Sequence, residues 1–113
     1  MEFITPAMAM TINQHMCQQY GGKSGVAHPN SLSSALAQPR ASMFGDYLHH
    51  GLLAMAKTYY FHLHKSQPFF SHNQKTALAC AGIFLKLNNY ELENVLEIFI
   101  TSEQQLFSYF ISS

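Results

Sequence analysis

The chain has no tryptophan and two cysteines, and only six Lys or Arg stand against six Asp or Glu in 113 residues. This even balance, with a pI near 7.0, leaves no electrostatic footprint for nucleic acid or for an anionic membrane. Cys17 and Cys80 form neither a CxxC pair nor a disulfide framework. Each falls in a helical pattern among apolar neighbours, so both are expected as buried reduced thiols. The first twenty residues carry one charge, Glu2, and no basic stretch of the kind that opens a secretory signal. The longest uncharged helical run, Thr76 to Leu85, is too short to cross a bilayer. The expectation is a cytoplasmic domain with no nucleic-acid and no membrane partner.

Hydrophobic residues make up 48% of the chain, with nine Phe and six Tyr. At this length they supply one core, so residues 1–113 are read as a single domain. With so few charges, part of the surface is expected to be buried against a partner. No window alternates with period two, and helices are expected over 6–19, 31–38, 47–65, 74–88 and 91–110. Thr5 and Pro6 open the first as N-cap and first-turn proline. Met8, Ile12, Met16 and Gln19 mark its inward face, and Gly21-Gly22 stops it. The second is expected to end near Pro39. The third carries Leu48, Leu52, Met55, Tyr59 and Leu63 on one stripe, is weakened at Gly51 and is ended by Pro68. The fourth is apolar nearly all round, with Leu78, Ile83 and Leu85 expected to be buried, and Asn88-Asn89 stops it. Such a helix belongs at the centre of a bundle, so the fold class is all-α.

The histidines do not assemble a metal site. His62 and His64, two apart on a helix, point to different faces, and no Asp, Glu or Cys stands at ligand spacing to either. His49-His50 fails in the same way, and GxSxG, P-loop and HExxH motifs are all missing. The polar loop Ser71-His72-Asn73-Gln74-Lys75 stands at the start of the expected central helix. Free N–H groups and the helix dipole there favour an anion such as phosphate, to which Lys75 would add charge. The plain structural reading is N-capping by Ser71 or Asn73.

The segment QPFFSHNQKTALACAGIFLKLNNYEL resembles the signature of the Fic/Doc family. Its loop reads HPFxDGNxR, or HxFxDANKR in death-on-curing toxins, ahead of TAL and an apolar helix. Upstream, YGGKSGV and SLSSALAQPRASMFG are similar to the death-on-curing blocks YGGxxG and LLESALARPQASFGG. FITP before the first helix matches as well, so the resemblance runs from about Phe3 to Leu92 with block spacing kept. It implies a helical fold around the motif helix and an ATP- and Mg²⁺-dependent transfer to a protein hydroxyl, either adenylylation or, in the death-on-curing toxin, phosphorylation of a translation factor. It also implies the toxin side of a toxin–antitoxin or prophage-maintenance module, with an antitoxin-like partner docking a helix near the groove. A homo-oligomer is a further expectation for a chain shorter than its longer relatives.

Carried over by position, the motif base falls on Gln67, the packing Phe on Phe69, the metal carboxylate on Ser71 and the small residue on His72. The motif Asn is Asn73, Gln74 stands in the variable place and Lys75 in that of the final Arg. Ser71, His72, Asn73, Gln74 and Lys75 are thus the phosphate-cradling candidates. The departures count against catalysis. Gln67 cannot take a proton at neutral pH, and losing a general base costs about 10²–10⁴-fold. Ser71 is a poor ligand for Mg²⁺ beside a carboxylate, and Lys75 lacks the bidentate fork of Arg. His64, one turn before Gln67, and His72 are candidates for a displaced base. Three readings therefore stand: an inactive Fic-fold toxin relative, an active transferase with a non-standard base, and an interaction module without nucleotide binding.

Overall fold

The computed structural model describes residues 1–41 and 47–90. They form four helices: α1 (Pro6–Tyr20), α2 (Pro29–Ala41), α3 (Tyr47–Ser66) and α4 (Asn73–Leu87). The fold is all-α, and among the described residues the β pairing is a single antiparallel bridge, Val26 with Phe69. The expected helix over 91–110 lies outside the described residues, and so does the Leu48 side chain.

α4 is the hub. It packs most extensively on α3 and also on α1, while α2 leans on α3. Ala77, Ala79, Cys80, Ala81 and Gly82 are all buried along it, and side chains this small let neighbouring helices approach closely. Larger groups then fill the layer between helices: Tyr59 and Phe84 are fully buried, with ring centroids 5.0 Å apart. Leu78 and Leu85 are buried as expected, whereas Ile83 is only partly covered and packs at the edge of the core. Both thiols are free and buried, and burial pushes that of Cys80 up to about 12.

The helix ends follow local chemistry. Thr5 accepts a hydrogen bond from the Met8 amide (3.1 Å) with Pro6 behind it. Gly21, at φ 82°, closes α1 by donating its N–H to the Cys17 carbonyl. Asn88 stops α4 and anchors the chain start: its Nδ2 donates to Phe84 O (2.8 Å) and Glu2 O (2.7 Å), and its Oδ1 accepts from Glu2 N (2.8 Å). Nearby, Ile4 N–H donates to the buried Tyr59 hydroxyl at 3.0 Å.

Three expectations need correction. The inward line of α1 is Ala9, Asn13 and Cys17, one residue on from Met8, Ile12 and Met16, which are half-buried at its flank, while Gln19 is exposed. A buried polar residue in the middle of the face displaced the apolar count. α2 does not end before Pro39 but carries it inside, continuing to Ala41. So near the C-terminus the missing N–H removes one backbone bond, and the ring is fully buried in exchange. Gly51 does more than weaken α3: at φ 70° and ψ −167° it interrupts it with a kink. Beyond that kink the stripe Met55, Tyr59 and Leu63 is buried as expected, and Leu52 is partly so.

Candidate functional site

Between α3 and α4 the chain turns in six residues, and two of them take left-handed backbone: Gln67 (φ 50°) and His72 (φ 57°). Gln67 follows the last turn of α3 and precedes Pro68, which cannot continue a helix. Pro68 and Phe69 are buried, and the loop is held flat against the stretch after α1. Ala27 and His28 donate to the Pro68 carbonyl (2.8 and 3.0 Å), and Phe70 N–H donates to Gly25 O (3.2 Å).

Two asparagines staple the loop from inside. The Asn73 amide bonds both polar groups of Phe69, accepting from its N–H at 2.8 Å and donating to its carbonyl at 2.9 Å. Its remaining hydrogen goes to Gln67 Oε1 at 3.3 Å. Asn13, wholly buried on α1, donates to Ser71 O (2.8 Å) and Thr76 Oγ1 (3.1 Å) and accepts from Gly25 N (3.2 Å). One side chain thus joins α1, the α1–α2 loop, the α3–α4 loop and α4. A buried amide with its capacity used in this way fixes a unique arrangement.

The remaining loop side chains are also engaged. Ser71 Oγ accepts from Lys23 N at 3.1 Å. His72 Nε2 lies 2.7 Å from Gly21 O, so this nitrogen carries the hydrogen and donates it, since a carbonyl only accepts. Lys75 Nζ stands 4.7 Å from the Tyr20 ring centroid. Gln67 Nε2 folds back to donate to His64 O (2.7 Å), and Gln74 reaches the Tyr60 hydroxyl at 3.5 Å. The His64 ring stacks on Tyr60, and its Nδ1 is buried with no hydrogen-bond partner. His64, Gln67 and residues 70–75 line an open cavity of about 400 Å³.

Neither Ser71 nor Asn73 caps α4. His72 occupies the N-cap without a side-chain bond to the helix, and the first bond of the helix backbone is Thr76 N–H to His72 O at 2.9 Å. The first-turn amides of residues 73–75 precede that bond, as helix geometry requires. They lie beside the cavity, and Lys75 in that same turn adds a cation, an arrangement that suits an anion. A family model for the Fic/DOC family matches residues 3–85 of the chain. The chain belongs to the Fic/DOC family. No curated protein matches it.

Within this Fic/DOC fold all the residues singled out in the loop, Gln67 and Ser71 to Lys75, come together on one cavity with His64. Several of them also bond within the protein. Asn73 serves the loop backbone, and His72 and Ser71 serve the segment after α1. His62 faces a different groove with Ser34 and Gln38, so the His62/His64 pair shares no site, as its spacing required. Burial, and secondarily Lys65, lowers the pKa of His62 below its ordinary 6.5. Among the described residues no group of three His, Cys, Asp or Glu side chains could hold a metal ion. No described helix is long and apolar enough to cross a membrane. Sequence reasoning missed Asn13, although a polar residue flanked at four-residue spacing by Ala9 and Cys17 was visible.

Proposed function

We propose that this Fic/DOC chain is a death-on-curing-like protein, on the toxin side of a toxin–antitoxin or prophage-maintenance module, whose nucleotide-dependent transferase site is inactive. The observation that carries this reading is the state of Gln67. An amide stands where the family motif has its base, turned back onto the His64 carbonyl and Asn73. Neither of its polar atoms can take a proton from a target hydroxyl at neutral pH. Mg²⁺ does not fit the donor set either. Among the described residues no carboxylate lines the cavity, and the Ser71 hydroxyl already accepts from the Lys23 amide. What remains is an anion-suited helix start, with Lys75 beside it, that ATP phosphates would meet. The partner in this reading is an antitoxin-like helix in the cytoplasm, set against the cavity rim where Phe70 is half exposed. The ancestral target is a translation factor.

The second reading, an active transferase, draws on one observation. His64 Nδ1 is buried without a partner on the wall of the same cavity, where a displaced base would stand. Incubation with ATP labelled at the γ- or α-phosphate separates the two. No transfer to the protein or to a translation factor is expected. Transfer that His64→Ala abolishes in a folded protein would overturn the inactive reading.

A further inference from the structure

Four consecutive residues at the end of α1 and just beyond meet the α4 entry point by point. Tyr20 lies under the Lys75 ammonium, 4.7 Å from it, with the His72 ring 6.0 Å from its own. The Gly21 carbonyl accepts from His72 at 2.7 Å, and Lys23 N–H donates to Ser71 Oγ at 3.1 Å. Gly22 lies between these two bonds with no room for a side chain. A Cβ there would stand 2.9 Å from Ser71 Oγ and 3.3 Å from His72 Nε2, on a backbone at φ 95°. The two hydrogen bonds come from adjacent loop residues to residues two apart on the opposing segment. They therefore make or break together when that segment lifts.

We infer that residues 20–23 form a strap latched over the entry to α4 by Ser71 and His72, and that the closed latch keeps the Ser71 hydroxyl and His72 Nε2 from any ligand of the cavity. Opening is a single local event. It leaves in place the deeper bonds of the same loop, Gly25 N to Asn13 and Ala27 N to Pro68 O, which belong to the core framework. His72 suits the latch on two grounds: histidine is among the residues that tolerate left-handed backbone, and its ring is long enough to reach Gly21. A smaller residue at position 72 would keep the backbone and lose the reach. The latch holds whether or not the site catalyses, so it stands apart from the proposed inactivity.

Amide exchange followed by NMR on the full chain tests it, with Ser71→Ala and His72→Asn cutting the latch on one side and Gly22→Ala prising it from the other. In His72→Asn, which does not touch Lys23, exchange of the Lys23 amide should still accelerate about fivefold, the factor that one lost hydrogen bond of average strength supplies. The Ala27 and Thr76 amides should keep their wild-type rates. In Ser71→Ala, carbethoxylation of His72 should speed up by a similar factor, because Nε2 is no longer held against Gly21 O. Unchanged Lys23 exchange in His72→Asn, or acceleration shared equally with Thr76 in Ser71→Ala, overturns the inference. The first outcome means two independent contacts, the second a general loss of stability. Label transfer from ATP does not bear on either result, so failure here is distinct from failure of the inactive-site reading.

Discussion

Asn13 donates to the Ser71 carbonyl across 58 residues of chain at 2.8 Å, so the middle of α1 fixes the height of the loop before α4. The same amide serves Thr76 and Gly25. Asn13→Ala would strand a buried hydroxyl, a carbonyl and an amide together. Each buried group left unpaired costs about 1–3 kcal/mol, with partial relief from water. A loss of about 2–4 kcal/mol in urea unfolding is expected. A loss below about 0.5 kcal/mol would show that Asn13 is not what fixes the loop.

Asn73 is expected to act on the loop and not on a ligand. In Asn73→Asp the acceptor for Phe69 N–H survives, while the donor to Phe69 O and Gln67 is lost. Asn73→Ala loses both directions. Thermal unfolding should rank wild type above Asn73→Asp and Asn73→Ala lowest, with the full truncation costing about 1–3 kcal/mol. The two variants melting together would show that the Phe69 N–H bond contributes nothing.

How far the sequence predicted this site follows from which interactions are local. The bounds of α4 were legible because a polar cluster before it, an uncharged apolar run and Asn88-Asn89 after it all act within a turn of their own position. The loop's contents were legible for the same reason. What was not legible is what those side chains do. The partners of Ser71 and His72 lie 48 and 51 residues away in the chain, and no periodicity reports a contact at that separation. Pro39 misled because a helix-breaking rule takes no account of a fully buried ring. Asn13 misled because a buried amide interrupts the apolar count it belongs to.

Alkaline pH should weaken the fold. Burial raises the Cys80 thiol from an ordinary 9.0 to about 12, and burial also raises Tyr59 above 10.0, against the opposing pull of its bond from Ile4. Between those values the unfolded chain has given up protons that the folded chain still binds, so stability falls as pH rises. It is fully present below about pH 9 and declines from there toward pH 12. Urea midpoints measured from pH 8 to 11 should hold to about pH 9 and then drop, and Cys80→Ala should flatten the slope. A native protein whose Cys80 is alkylated rapidly at pH 8 would contradict the burial that causes the shift.

Restoring the motif gives the sharpest test of the transferase reading. Gln67→His alone supplies a base, but among the described residues no carboxylate joins the cavity lining, so labelling from ATP should stay near background. Ser71→Asp alone supplies a carboxylate without a base. His72→Gly removes the ring from Gly21 and relaxes left-handed backbone at φ 57°. The lost hydrogen bond and the relieved strain are each about 1 kcal/mol and oppose one another, so its melting temperature should barely move and activity can be read cleanly. The three changes together should transfer label to a translation factor by far more than the sum of the single variants, as residues that act as one unit do. A triple variant that folds, binds ATP and transfers nothing would show that positions 67, 71 and 72 do not hold the roles proposed for them.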